Sequence, residues 1–234
     1  MAPSKLDTNI SPQEIDFATL IQQHTMNAGI PFTPDQARLC ALHVQLMLEW
    51  NTRFNLTRIT DPEEIVVKHL LDSIAPATSL PSSGPALDIG TGAGFPGIPL
   101  KIFYQDLDMC LLDARRKKVG FLEAVIANLG LQGHRASHGR WEEFARAPEN
   151  RNLFCLITMR AVKLEPNYLS LAVPTLALGG VFAWWSGPES ESAAEDLMKK
   201  ALPAGLEFAG KIPYSLPGIE RPRSVWTWEK TGEE

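Results

Sequence analysis

A chain of 234 residues is long enough for one large domain, or for one domain with a smaller appendage. Hydrophobic residues make up 44% of it and charged residues 21%, which excludes collagenous, disordered and disulfide-scaffold classes and leaves a globular protein. Lys and Arg number 22 against 27 Asp and Glu, a net charge of -5, so the chain is not held to nucleic acid by an overall basic surface and any such contact has to be local. Cys40, Cys110 and Cys155 lie far apart, with no Cys-x-x-Cys pair. Neither a metal site nor a disulfide framework is expected, and a reducing compartment is.

The first residues, MAPSKLDTNI, lack a basic start followed by an apolar run, so no signal peptide is expected. Three helix starts follow, each with a capping residue, a proline at the first helical position and Glu or Gln three residues after the cap. They are Ser11-Pro12-Gln13-Glu14, Thr33-Pro34-Asp35-Gln36 and Asp61-Pro62-Glu63-Glu64. The second helix carries Ala37, Cys40, Ala41, Val44, Met47 and Leu48, and the third Ile65, Val66, His69, Leu70 and Ser73, each at a spacing that buries one face. Residues 1–80 therefore read as a small N-terminal helical subdomain, and the Pro/Ser/Gly-dense stretch Pro76–Pro85 as a linker or long loop.

From residue 81 to 234 short apolar runs alternate with helical stretches, the pattern of a largely parallel sheet with helices on both faces. Strands are expected near Pro85–Ile89, Asp108–Leu112, His134–Ser137, Leu153–Met159, Gly180–Trp185, Leu206–Pro213 and Ser224–Glu229. Helices are expected near Phe95–Phe103, Arg115–Leu129, Glu165–Leu176 and Glu191–Ala201. The turn-rich segment Tyr214–Pro222 has no room for a crossover helix, so the last two strands should be antiparallel. The uncharged stretch Asn167–Pro188 is broken by Pro174 and by Gly179-Gly180 into a helix and a strand too short to span a bilayer. The expectation is a soluble, cytoplasmic protein without membrane contact.

The strongest chemical signal is Asp88-Ile89-Gly90-Thr91-Gly92-Ala93-Gly94-Phe95-Pro96-Gly97, glycines placed where a strand ends and a helix begins. Glycine lets a ligand approach the backbone, and free N–H groups at a helix start suit polar or anionic ligand groups. Gly92-x-Gly94-x-x-Gly97 also fits a dinucleotide fingerprint, but with the acid two residues before the first glycine the run resembles the Asp-x-Gly-x-Gly-x-Gly pattern of S-adenosylmethionine-dependent methyltransferases. Asp88 is expected to orient the loop or, through water, the ligand's ammonium. Asp113 follows an apolar run and lies 19 residues after Gly94, where an acid at a strand tip accepts hydrogen bonds from both ribose hydroxyls. The plainer reading makes it a helix cap. Gly139-Arg140-Trp141-Glu142-Glu143-Phe144 follows the third strand, where Trp141 could flank an adenine or simply pack. Arg160, at the end of the fourth strand, is placed to point at a ligand site. The chain has no Asn/Asp-Pro-Pro-aromatic motif and no Pro-Cys or Thr-Cys nucleophile, so exocyclic amines and pyrimidine carbons are disfavoured as methyl acceptors.

From about Trp50 to Lys230 the chain resembles the RsmG (GidB) family of bacterial 16S ribosomal RNA guanine-N7 methyltransferases. The likeness rests on Asn55-Leu56-Thr57, Lys68-His69-x-x-Asp72-Ser73, the glycine motif running on to Ile98-Pro99-Leu100, Leu111-Leu112-Asp113 with Lys117-Lys118-x-x-Phe121-Leu122, Glu142-Glu143 and Arg160-Ala161. The resemblance implies a class I methyltransferase fold, Rossmann-like, with a seven-stranded sheet. It also implies methylation of N7 of one guanine in 16S rRNA or the small ribosomal subunit, and cofactor contacts at Gly90, Phe95, Asp113, Trp141, Glu142 and Arg160, to which the glycine motif adds Asp88, Gly92 and Gly94. One departure is visible: after the fifth strand the family usually has Lys-Gly, where this chain has Trp184-Trp185-Ser186-Gly187.

Guanine N7 carries an in-plane lone pair and no proton, so attack on a sulfonium methyl needs alignment and desolvation rather than a general base. Arg160 is accordingly expected to act through electrostatics or positioning. N7 faces the narrow major groove of an RNA helix, so the target must sit in a loop or be flipped out, against a basic rim. Candidates for RNA contact are Arg53, Arg58, Lys68, His69, the run Arg115-Arg116-Lys117-Lys118, Arg221 and Arg223; the run could also be only a solvated helix face. A monomer is expected. Competing readings are a small-molecule methyltransferase, a nicotinamide-dependent oxidoreductase, and a non-catalytic RNA- or cofactor-binding module.

Overall fold

The computed structural model describes residues 12–187, 195 and 202–232. A single seven-stranded sheet runs in the order β3-β2-β1-β4-β5-β7-β6. Its strands are β1 Gly84–Ile89, β2 Leu107–Asp113, β3 Arg135–His138, β4 Phe154–Arg160, β5 Leu176–Ser186, β6 Leu206–Tyr214 and β7 Arg223–Lys230. β1 to β5 are parallel, and β7 pairs antiparallel with both β5 and β6, as the short connection after β6 requires. All seven expected strands are present, each within a few residues of its expected bounds. The expected helix over 191–201 lies, except for Glu195, outside the described residues, as does the Ser11 cap.

The sheet is covered on both faces because its strands alternate between two cores. One core joins Ala86, Met109, Leu111, Leu156 and Trp185 to the helices α1 Pro12–Asn27, α2 Pro34–Phe54, α5 Gly97–Phe103 and α6 Arg116–Leu129. The other joins Leu87, Ile89, Leu112, Met159, Trp184 and Trp228 to α7 Trp141–Phe144 and α8 Pro166–Thr175. The adjacent Trp184 and Trp185 thus serve opposite faces of β5, both almost fully buried.

Local signals set the helix starts. Thr33 caps α2 with a complete capping box, its hydroxyl accepting from the Gln36 N–H while the Gln36 side chain takes the Thr33 N–H. Asp61 accepts from the Glu64 N–H at 2.9 Å and starts α3 Pro62–Ile65. That helix does not stay regular: Val66–Leu71 winds as a π turn before α4 Asp72–Ile74. Such turns often occur at functional sites, and this one carries Lys68 and His69. The expected linker is instead a packed connection. Ala77–Ser79 forms a 3-10 turn, and Ala77 and Leu80 are buried in the first core. Among the described residues no helix is long and apolar enough to cross a membrane.

Candidate active site

The strand order reverses between β1 and β4, which lie side by side, and in open α/β sheets ligands bind beyond the carboxyl ends of strands at this point. Asp88 is the next-to-last residue of β1, just before the glycine loop, and is fully buried. One of its oxygens accepts from the Gly97 N–H at 3.0 Å and the other from the Thr158 hydroxyl at 2.9 Å. Its carboxylate therefore staples the loop to α5 and to β4, the loop-orienting role of the two expected. Burial pushes its pKa up to about 6, the hydrogen bonds from its neighbours opposing the shift.

The loop's glycines do different work. At Gly92 (φ +64) an added Cβ would meet only the Lys118 ammonium at 3.4 Å and the Gly90 carbonyl at 3.8 Å, so this side of the loop is open. At Gly94 (φ +89) it would collide with Ile98 and crowd His43, and at Gly97 it would meet Leu111 at 2.5 Å. Gly94 and Gly97 permit close packing of loop and helix, whereas Gly92 leaves ligand space. Gly92→Val is expected to abolish S-adenosylmethionine binding while the chain still folds, at a cost of about 1–2 kcal/mol for the left-handed backbone. Calorimetry on the folded variant checks this, and retained binding would place the ligand elsewhere.

Asp113 ends β2 with one oxygen accepting from the Gly92 N–H at 3.0 Å and the other from the Arg115 N–H at 2.8 Å. It braces the glycine loop and the turn into α6, whose N-cap is Arg115 and has no side-chain cap hydrogen bond, so Asp113 is not the expected helix cap. Lys118 lies 3.9 Å from the same carboxylate. Beside it a recess of about 180 Å³ is lined by Gly90, Asp113, Trp141, Glu142, Val162 and Tyr168. Trp141 is 4% exposed, and its indole N–H is buried without a partner among the described residues. It packs beside the recess and keeps a buried donor that no described residue satisfies.

A second, larger cavity of about 710 Å³ adjoins the first, with Val162 lining both. Arg160 reaches it from the end of β4, but its guanidinium is turned onto the α3–α4 helix. It donates to Asp72 at 2.8 Å and to the Lys68 carbonyl at 3.1 Å, and lies over the Phe95 ring, 5.5 Å from its centre. The third partner is His69 Nδ1 at 3.3 Å. An arginine only donates, so Nδ1 accepts, and Nε2 carries the proton that goes to the Thr57 hydroxyl at 3.0 Å. His69 is held neutral, its pKa pushed down to about 3 by burial first and by the Arg160 charge second. Phe95 is sandwiched between His69 and His43, with centroids 4.8 and 4.7 Å away, and His43 donates from Nε2 to the Ala93 carbonyl at 2.8 Å. Asn55-Leu56-Thr57 and Lys68-His69-x-x-Asp72 thus converge on Arg160 and the glycine loop.

The remaining basic candidates separate by environment. Arg53, Arg58, Arg115, Arg116, Lys117 and Arg221 are exposed. Lys117 stands over the Phe54 ring, 5.5 Å from its centre, which brings the α6 run next to the end of α2 that bears Arg53. Lys68 pairs with Glu64 at 2.5 Å, and Arg223 with Asp72 at 3.1 Å. One participant escaped the sequence reading: Tyr214, whose hydroxyl donates to Asp72 at 2.7 Å across 142 residues of chain, carried no local signal. Asp72, which the sequence groups with Lys68 and His69 for RNA contact or interdomain packing, lies between Arg160 and Arg223. Cys155 is not a nucleophile: its thiol donates to the Ser83 and Pro85 carbonyls, and burial pushes its pKa up.

A parallel sheet with an inserted antiparallel strand, a glycine loop at the reversal point and an acid at the tip of β2 define a class I methyltransferase. Solved structures agree on the fold: a SAM dependent methyltransferase from Aquifex aeolicus superposes with a TM-score of 0.56 at 17% identity, covering 75% of this chain and 97% of that one. A predicted O-methyltransferase from Agrobacterium tumefaciens gives 0.53 at 18%, covering 69% and 81%. The model of the GidB family, rRNA small subunit methyltransferase G, matches residues 36–215. The ribosomal RNA small subunit methyltransferase G 1 of Syntrophobacter fumaroxidans is 47% identical over 209 residues, 87% of this chain and 92% of that protein. The corresponding enzyme of Desulfitobacterium hafniense is 39% identical over 203 residues, 87% and 84% of the two chains. The chain belongs to the rRNA small subunit methyltransferase G family.

Proposed function

We propose that this protein transfers the methyl group of S-adenosylmethionine to N7 of one guanine in 16S ribosomal RNA, acting in the cytoplasm as a monomer. One observation carries the reading: the recess beside Asp113 and the larger basic cavity beside Arg160 meet at Val162, so a cofactor and an acceptor base would abut there. The residues present fit the cofactor. Asp113 offers carboxylate lone pairs for ribose hydroxyls at the strand tip, Gly90, Trp141 and Glu142 line the recess, and Gly92 leaves backbone room. Asp88, Gly94 and Phe95 support the loop from behind. When bound, the cofactor supplies an electrophilic sulfonium methyl.

The protein's own contribution is alignment and exclusion of water. Neutral His69 holds a proton at Nε2 and has none to remove from guanine N7, which carries none. Arg160 acts electrostatically. A guanidinium forked onto both O6 and N7 would occupy the lone pair that attacks, so that pairing is excluded from a productive complex. Residues 1–80 act as a helical subdomain presenting Arg53 and Arg58 to RNA, and residues 81–234 hold the cofactor.

The deciding experiment supplies the protein with labelled S-adenosylmethionine and small ribosomal subunits lacking the modification, then maps 7-methylguanine by chemical cleavage of the rRNA. Label in the subunit and one new cleavage site are expected; label only in a small molecule would overturn the reading. With a net charge of -5, binding rests on few phosphate contacts. Replacing Arg115 and Arg116 by Ala is expected to flatten the log-log salt dependence of RNA binding by about one to two units, with S-adenosylmethionine affinity kept within about threefold. An unchanged slope would make the run a solvated helix face.

A further inference from the structure

Among the described residues, the larger cavity is lined by five cationic side chains, Lys68, Arg160, Lys163, Arg221 and Arg223, and by one carboxylate, Asp72. Lys68 is matched by Glu64 outside the cavity. Asp72 is 1% exposed and its oxygens are saturated. Oδ1 accepts from the Tyr214 hydroxyl at 2.7 Å and from Arg223 at 3.1 Å, and Oδ2 from Arg160 at 2.8 Å and from Arg223 at 3.2 Å. Its backbone is pinned as well, since the Trp185 indole donates to the Asp72 carbonyl at 2.8 Å.

Two guanidiniums therefore share one carboxylate, and among the described residues one positive charge is left over where water is scarce. The side chains of Arg160 and Arg223 are only 12% and 25% exposed. The Arg223 Nε–H is buried with no partner among the described residues. A buried donor without a partner and an unmatched half-buried charge both favour an anion, and the planar fork of a guanidinium suits the oxygens of a phosphodiester. The strands impose this arrangement. Arg160 ends β4 and Arg223 begins β7 on either side of β5, and Asp72 reaches between them from the helix that packs over their ends.

Building on the proposed RNA substrate, we infer that Arg160 and Arg223 clamp one phosphate of the RNA strand beside the target guanine, and that Asp72 is the positioning residue that sets the spacing of the two arginines. The phosphate binds on the cavity side of the guanidiniums while Asp72 holds their other edges. Lys163 and Arg221 form the outer rim.

The test compares the unaltered protein with Arg223→Gln and Asp72→Asn, using small ribosomal subunits lacking the modification. It reads methyl-transfer kinetics, the salt dependence of RNA binding, and S-adenosylmethionine affinity by calorimetry without RNA. Arg223→Gln should raise KM for the subunit about tenfold and flatten the salt slope by about 0.7 to 0.9, one phosphate contact, with cofactor affinity within about threefold. Asp72→Asn should lower kcat about tenfold or more at saturating subunit, again without loss of cofactor affinity, because both arginines remain but lose their fixed spacing. Parental KM and salt slope in Arg223→Gln would overturn the clamp. A tenfold loss of cofactor affinity in that variant would overturn it too, by assigning the anion to the cofactor's own carboxylate. Failure of the unaltered protein to methylate RNA would instead refute the parent reading, and the clamp with it.

Discussion

Replacing Asp113 by Ala is expected to weaken S-adenosylmethionine binding by about 2–4 kcal/mol, roughly 30- to 1000-fold, because two hydroxyl hydrogen bonds to a charged acceptor disappear. The structure adds a second contribution. The same carboxylate accepts from the Gly92 and Arg115 N–H groups, so the alanine variant also frees the loop that must receive the cofactor. Asp113→Asn separates the two effects, since its amide oxygen still accepts one of these bonds while the charge is gone, and it should bind with intermediate affinity. Isothermal calorimetry on both variants checks the prediction. Unchanged affinity alongside a lowered Tm would reduce Asp113 to a brace of the glycine loop and the turn into α6, and move the ribose elsewhere.

Acid should destabilise this protein well above the pH at which ordinary carboxylates titrate. Burial pushes His43, His69 and His134 down to about 4, 3 and 4, so all three fold in the neutral form. A histidine with a lowered folded pKa contributes stability that is fully present above its ordinary value of 6.5 and is lost as the pH falls toward the folded value. Asp88 acts the other way: its folded pKa of about 6 lies above the ordinary 3.8, so it favours folding below 3.8 and loses that contribution as the pH rises through 6. Three histidines outweigh one carboxyl, and the net expectation between pH 6.5 and 5 is a loss of roughly 4 kcal/mol. Urea unfolding at the two pH values measures it, and equal stabilities would show that these imidazoles are not held neutral. In the folded protein His69 stays neutral over this range, so methyl transfer should fall only with the folded fraction; a proton on Nδ1, facing the Arg160 guanidinium 3.3 Å away, is expected only near pH 3.

The elements legible in the sequence are those whose demands are local. Thr33 and Asp61 announce helix starts because a cap satisfies N–H groups two and three residues ahead of itself, and the turn-rich Tyr214–Pro222 announces an antiparallel pair because no crossover fits in it. The glycine motif with Asp88 is legible for the same reason, since the loop, its brace and the start of α5 fall within ten residues. The π turn at Val66–Leu71 was not, because helical spacing alone does not reveal one extra residue in a turn.

What only the tertiary structure decided is which way the charges point. From its place at the end of β4, Arg160 was assigned to the ligand, yet its guanidinium meets Asp72, 88 residues away, and Asp72 meets Arg223 across 151. Arg223 stood in the sequence as one of several basic residues near RNA, and the fold makes it half of a partly buried arginine pair. Backbone patterns are written into neighbouring residues by the periods of helix and strand, whereas side-chain pairing at this depth depends on strand order, on the antiparallel insertion of β7 and on the helix that closes over the strand ends. The sequence by itself thus determined a glycine-loop methyltransferase fold and its acidic strand tip, and the packing of α3–α4 against β4 and β7 determined the electrostatics of the cavity beside it, because charges far apart in the chain compensate one another only after the sheet has brought them together.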